Sequence, residues 1–293
     1  MHARNRFRDG YDFPRLTATH PPLAAFVVRS PRGDATIDFA NPAAVLALNQ
    51  ALLRDAYGLQ WSLPTGALCP AVPGRLDYVH HLADLLSGGD AAAIPRGPDV
   101  PILDIGSGAS CIYPLLGASE YGWSFVGTDS NTSSHRWARQ IVRVNRSVAA
   151  LIEGRHQPDP RACFANVTTA SDRFAASMCN PPFHASADDA ATGSTRKRRN
   201  LKLAPTAAAR NFGGAPGELW CEGGEVGFIE RMIAESAARP RLCFWFTTLV
   251  SKSSNLPRLE RTLARVQAAQ VRTVDMAQGQ KQSRVLAWTF MQP

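Results

Sequence analysis

The stretch PILDIGSGAS, residues 101–110, decides the fold. An apolar run, Pro101 to Ile105, passes directly into Gly106-Ser107-Gly108, and a helical pattern begins near residue 112. A strand feeding a glycine-rich turn and a helix is the opening unit of a parallel, doubly wound sheet, and such sheets bind ligands at the carboxyl ends of their strands. Gly106 and Gly108 lack the Cβ atoms that would hold a ligand away from the backbone, so a pocket is expected there. A lone Gly-x-Gly also serves as a plain tight turn, and Ser110 stands where a third glycine often occurs. The reading therefore needs support from further along the chain.

Outward from this turn, short apolar runs alternate with helical segments. SFVGTD (124–129) is followed by a helix from 132 to about 149, then by strands at ACFAN (162–166) and ASMCNPPF (176–183). A helix near 224–237, the strand RLCFWFTTLV (241–250), a helix over 256–269 and the strands VRTVDMA (271–277) and SRVLAWTF (283–290) complete the pattern. Alternation of this kind implies a parallel sheet covered on both faces. Only Gln278 to Gln282 separates the last two strands, too few residues for a crossover, so they must pair as an antiparallel hairpin. An ordinary dinucleotide-binding domain does not end that way.

Upstream, NPAAVLALNQALLRDAYG (41–58) reads as a helix with Asn41 as N-cap, Pro42 at its first position and Gly58 closing it. A second helix is expected from about Gly74 to Leu86. Residues 87–99, SGGDAAAIPRGPD, read as a linker. The boundary is drawn there, giving a mainly helical appendage over 1–98 and a catalytic domain over 99–293.

The 293 residues are 45% hydrophobic, enough for two cores. Lys and Arg total 32 against 24 Asp and Glu, a formal charge of +8 that favours a polyanionic partner. The six cysteines, at 69, 111, 163, 179, 221 and 243, form no C-x-x-C pair and no zinc spacing with histidine. They read as small apolar core residues in a reducing compartment, with no metal expected. No apolar run reaches the roughly 20 residues of a membrane span, and the N-terminus MHARNRFRDGYDF has no apolar signal core. A cytoplasmic protein, monomeric and without a membrane partner, is expected.

Chemistry enters with Asp129, which ends the next apolar strand about twenty residues past the glycines, where a carboxylate accepts hydrogen bonds from ribose hydroxyls. An Asp capping the following helix is the plainer alternative, but Ser130 and Asn131 could cap it equally well. The most specific signal is Asn180-Pro181-Pro182-Phe183 at the end of the fourth strand. An aromatic amine is a poor nucleophile because its lone pair is delocalised into the ring. The Asn180 side-chain oxygen and the Pro181 carbonyl can accept from such an NH2 and favour a more tetrahedral nitrogen. Pro182 stiffens the turn with Pro181, and Phe183 can stack on an extruded base.

These blocks make the sequence resemble the RlmF family of 23S rRNA adenine-N6 methyltransferases, and more distantly the eukaryotic methyltransferase-like enzymes acting on small nuclear RNA. The likeness runs from HARNRFRDGYDF through IDFANPAAVLALNQALL, LDIGSGASCIYPLLGA, CNPPFHAS, NFGG, ELWCEGGEVGFI, WFTTLVSK and MAQGQKQSR to AWTF. It implies a class I S-adenosylmethionine-dependent methyltransferase fold, a seven-stranded Rossmann-like sheet with a C-terminal antiparallel hairpin. S-adenosyl-L-methionine is the implied cofactor, and 23S rRNA or a large-subunit assembly intermediate the implied partner. By matching position, Arg75, Asp104, Gly106, Gly108, Asp129 and Asn180 would meet the cofactor. One family contact on the third strand falls among Asn166, Val167 and Thr168 without a clean match. His184 replaces a second Phe found after NPPF in the eukaryotic relatives.

Two basic segments, Arg4, Arg6 and Arg8 in the N-terminal arm and Arg196-Lys197-Arg198-Arg199 with Lys202 beyond the Asn-Pro-Pro turn, are expected to meet RNA phosphates, although solvated charge runs are common. The rival readings are an N-methyltransferase acting on DNA adenine or a protein glutamine, and a noncatalytic RNA-binding assembly factor.

Overall fold

The computed structural model describes residues 1–182, 220–278 and 281–292. Strands β1 (Val27–Arg29) and β2 (Ala35–Ile37) form a small antiparallel hairpin in a region expected to be helical and irregular. The main sheet comprises β3 (Pro101–Ile105), β4 (Ser124–Asp129), β5 (Ile152–His156), β6 (Phe174–Cys179), β7 (Cys243–Val250), β8 (Gln270–Gln278) and β9 (Lys281–Thr289). Their spatial order is β5-β4-β3-β6-β7-β9-β8. The first five run parallel, and β9 lies antiparallel between β7 and β8. The expected hairpin is present, with its second strand inserted inside the sheet.

Around the sheet stand α1 (Phe13–Thr19), α2 (Pro42–Tyr57), α3 (Val72–Leu86), α4 (Ile112–Tyr121), α5 (Thr132–Val144), α6 (Arg146–Ala149), α7 (Gly224–Ala238) and α8 (Leu256–Arg265). As expected, the Asn41 side chain caps α2 by accepting from the amides of Ala43 and Ala44, and Gly58 closes it. The helix expected from 132 to 149 is broken. The Asn145 side-chain amide donates to the carbonyls of Ile141 and Gln60, and that competition with the helical backbone separates α5 from α6. Helix α8 stops short of 269 because Ala269 already donates to Thr289 of the sheet.

One strand was misplaced. The third strand is IEGRH (152–156), at the edge of the sheet with mostly exposed side chains, whereas ACFAN forms turns. An edge strand needs little apolar character, so its sequence carries little pattern. Cys163 and Phe164 are buried for another reason: the Glu235 carboxylate on α7 accepts from the amides of Cys163, Phe164 and Ala165 and draws that turn onto the sheet.

Alternation along the strands divides the interior into two clusters. Ile102, Trp245 and Val285 face one side, with residues from α2, α3, α4 and α5, while Leu103, Phe246 and Leu286 face the other, with α7, α8 and Phe164. The first cluster runs without a break from Phe7 to the sheet, so the stretch 87–99 does not separate two cores. Helix α3 is the reason: its Tyr78 hydroxyl is 2.6 Å from Thr247 Oγ1 on β7 and accepts from the amide of Cys179 on β6. Among the described residues no helix is long and apolar enough to cross a membrane.

Replacing Glu235 with alanine leaves three backbone amides without their charged acceptor, and stability should fall by about 1.5–3 kcal/mol. Urea unfolding followed by tryptophan fluorescence measures it; an unchanged midpoint would show that solvent satisfies those amides equally well.

Candidate active site

Strand register places the site. Ile105 is the Cα partner of both Thr128 on β4 and Cys179 on β6. The next residues outward on three neighbouring strands are therefore Gly106, Asp129 and Asn180, spread over about 10 Å at the usual strand spacing. The chain proceeds from β3 to β4 and β5 on one side and then returns to β6 on the other, so β3 and β6 flank the point where strand order reverses. Open α/β sheets bind their ligands at that crevice.

A cleft of about 500 Å³ opens there, a volume within the range of cofactor sites. Arg75, Gly106, Gly108, Asp129, Asn180 and Pro182, all singled out from sequence, line it together. Gly106 and Gly108 adopt φ of +73° and +63°, values that L side chains rarely take, and a Cβ built on Gly106 would meet nothing within 4 Å. The turn is tied to β4 by Asp129, whose Oδ2 accepts from the Gly108 amide at 2.8 Å and whose Oδ1 accepts from the Asn131 amide at 2.7 Å. Capping of α5 falls to the Asn131 side chain, which accepts from Ser134. Asp129 is left to organise the turn and to face the cleft, since each carboxylate oxygen has a second lone pair.

Asn180 carries an unusual feature: its Oδ1 is buried and has no hydrogen-bond partner among the described residues. A buried amide oxygen without a donor is costly unless something else supplies one. Arg75, on the first turns of α3, donates to the Tyr113 hydroxyl at 3.0 Å and holds its guanidinium at the cleft wall. Pro181 is buried behind the cleft, while Phe183, Arg196, Lys197, Arg198, Arg199 and Lys202 lie outside the described residues.

Asp104 differs from expectation. It is 1% exposed and sits behind the turn, its Oδ2 accepting from the Ser107 hydroxyl at 2.7 Å, so it supports the turn and does not line the cleft. Burial pushes its carboxyl up to about 7, opposed by the Ser107 hydroxyl and reinforced by the charge of Asp129. The third-strand candidates Asn166, Val167 and Thr168 do not line the cleft either. Gln157, just beyond β5, and the turn 160–163 occupy that wall, and they escaped notice because β5 itself did. Arg231 on α7 lines the cleft as well, with Trp220 and Glu222.

The N-terminal arm also departs from expectation. Arg4 donates to Asp84 at 2.6 Å, to Tyr121 and to the His80 carbonyl, and Arg6 pairs with Glu120 at 2.7 Å while lying over the Tyr57 ring. These charges are paired with acids of the protein itself, Arg4 partly buried and Arg6 at the surface, and clamp the arm to α3 and α4. Arg8 is exposed, with Asp9 3.3 Å away and the Ala3 carbonyl as acceptor. His2, His81 and Asp84 bring potential ligand atoms within 4.8 Å of one another. His2 already uses both ring nitrogens, toward Asp84 and the Arg4 amide, so the cluster is a hydrogen-bonded buckle.

A seven-stranded sheet of this order, with its cleft at the reversal point and its glycine turn, carboxylate and Asn-Pro-Pro at the strand ends, defines a class I S-adenosylmethionine-dependent methyltransferase. Comparison with known proteins agrees. A family model described as RNA methyltransferase matches residues 1–292, and the chain belongs to that family. Ribosomal RNA large subunit methyltransferase F of Pseudomonas aeruginosa is 53% identical over 99% of this chain and 88% of its own length. The protein of the same name from Yersinia pseudotuberculosis is 48% identical over 100% of this chain and 88% of its own length. Among solved structures, the catalytic domain of human METTL16 in complex with MAT2A 3′UTR hairpin 6 superposes with a TM-score of 0.82 at 32% identity, covering 100% of this chain and 98% of that one. The N-terminal domain of human METTL16 in complex with SAH gives 0.79 at 30% identity over 100% and 99%.

The Asp104 carboxyl sets a pH dependence. A folded-state value near 7, above the unfolded value near 4, means that its stabilising protonated form is fully present below about pH 4 and is lost as pH rises through 7. Asp104→Asn should therefore remove a decline of about 2–4 kcal/mol in unfolding free energy between pH 5 and pH 8. Urea titrations of both proteins across that range test this, and parallel pH profiles would contradict it.

Proposed function

We propose that this protein transfers a methyl group from S-adenosyl-L-methionine to the exocyclic N6 amine of an adenine in 23S rRNA, either naked or in a large-subunit assembly intermediate. The observation that carries the reading is the buried Oδ1 of Asn180 beside the cleft, without a donor among the described residues. An acceptor held without a donor is suited to take a hydrogen bond from an incoming NH2, and it localises the nitrogen lone pair. The names of the relatives support a large-subunit rRNA substrate.

The cleft residues fit the cofactor. Gly106 and Gly108 would let it approach the backbone, Asp129 would accept from its ribose hydroxyls, and Arg75 is placed to pair with its carboxylate. When bound, the cofactor supplies an electrophilic methyl group on a sulfonium. Asn180 and the Pro181 carbonyl would orient the amine, and Phe183 would stack on the base once it is extruded from its neighbours. Residues 1–98 contribute Leu68, Pro70 and Arg75 to the cleft, and the Arg196–Arg199 segment with Lys202 would meet the phosphate backbone. A noncatalytic assembly factor has no use for an unsatisfied amide oxygen at this position, and no feature of the site favours glutamine or DNA.

Asn180→Ala should slow single-turnover methylation of 23S rRNA by roughly a hundredfold or more at saturating RNA and cofactor, with RNA affinity retained. Near wild-type turnover would remove Asn180 from the chemistry. Asp129→Ala should weaken cofactor binding by about 1.5–3 kcal/mol in titration calorimetry, compared with its melting temperature without cofactor to separate lost contact from a loosened turn. Unchanged affinity would exclude the ribose assignment.

A further inference from the structure

The arginines of α5 are treated differently from those of the N-terminal arm. Arg136, Arg139 and Arg143 stand at i, i+3 and i+7 on α5, a spacing that places them on one face, and Arg146 opens α6 immediately beyond. All four are exposed. Among the described residues none of them meets a carboxylate, a carbonyl or an aromatic ring. No Asp or Glu occurs between Asp129 and Glu153, and Glu153 is itself paired with Arg155. The opposite face of α5 anchors the helix through Ala138 and Ile141, and Trp137 donates to the Ser62 carbonyl. The stripe is therefore held on a fixed support.

Like charges three and four residues apart destabilise a helix, and here no acid relieves them. A bound polyanion does. The stripe also begins close to the cleft: Asn131, which caps α5, is a cleft residue, and Arg136 follows five residues later. From Arg136 to Arg143 the face extends about 10 Å away from that mouth at 1.5 Å per residue. Arg4 and Arg6, by contrast, are held by Asp84 and Glu120.

We propose that the arginine face of α5 and the start of α6 is a phosphate-binding surface that holds substrate RNA continuing beyond the nucleotide delivered to the cleft. The proposal rests on the reading of RNA as substrate. Its contribution is affinity without base selection, because guanidinium contacts to phosphate carry no sequence information.

The test uses the full chain and a 23S rRNA transcript. The fourfold variant Arg136→Gln, Arg139→Gln, Arg143→Gln, Arg146→Gln should bind about tenfold or more weakly at roughly 0.1 M salt, and the slope of log affinity against log salt should fall by roughly 3, from four lost contacts. Cofactor affinity, melting temperature and the methylation rate at saturating RNA should stay at wild-type values. The corresponding fourfold Lys variant should keep most of the binding. Unchanged affinity and slope in the Gln variant would overturn the proposal, as would a Lys variant as weak as the Gln variant. Wild-type protein that binds with the steep slope, loses it in the Gln variant and yet methylates nothing would sink the proposed reaction while supporting the surface.

Discussion

The Tyr78 hydroxyl holds the active cleft together. It lies on α3, is 2.6 Å from Thr247 on β7 and accepts from the amide of Cys179, the residue immediately before Asn180. Burial raises its pKa well above the ordinary phenol value, so it stays a neutral hydroxyl within the interior. Its ring meets Tyr113 edge-on at 5.4 Å, and Tyr113 in turn accepts from Arg75, one turn back along α3. One side chain thus couples the N-terminal region, the strand that ends at Asn180 and the arginine at the cleft wall. The arm is fixed to the same helix, through Asn5 to Asp77 and Pro73 and through His2 and Arg4 to Asp84.

Charge is sorted by depth. The deepest carboxyl at the glycine turn, Asp104, is driven toward its protonated form by burial, while Asp129, one strand over at the cleft, accepts from two backbone amides. Two acids close together thereby take different tasks: the inner one braces Ser107 and the outer one ties the glycine turn to β4 and faces the cleft. Basic residues are sorted by pairing instead: Arg4 and Arg6 of the arm meet acids of the protein, and the arginines of α5 meet none among the described residues. The formal charge of +8 is therefore a poor guide to where a polyanion would sit.

Gly106, Asp129 and Asn180 were legible in the sequence because their residue types are themselves the chemistry, and each closes a strand with strong apolar pattern. Strand β5 was not, since an exposed edge needs no such pattern, and Gln157 was lost with it. The buried turn at Cys163 and Phe164 looked like a strand because its burial depends on Glu235, some seventy residues later. Arg4 and Arg6 looked available to RNA phosphates for the same reason: their partners, Asp84 and Glu120, are distant in sequence and local pattern cannot pair them. Composition at 87–99 marks the turn-rich stretch, whereas the continuity of the apolar cluster across it depends on what Tyr78 touches.

The position of β9 has a consequence for how the chain is made. Residues 281–289 pair with β7 on one side and β8 on the other, so the sheet cannot close beyond β7 until they have been synthesised. Until then the β7 segment CFWFTTLV presents an unpaired apolar edge, the kind of surface that seeks other strands. At about 5–20 residues per second, elongation from residue 250 to 289 leaves that edge open for roughly 2–8 s on every nascent chain. Throughout that interval the segments bearing Gly106, Asp129 and Asn180 have already been made, while the sheet that must support them still lacks its neighbour. Crowded translation of this chain therefore risks strand exchange between nascent copies at β7, a hazard that a meander adding its strands in sequence order would avoid.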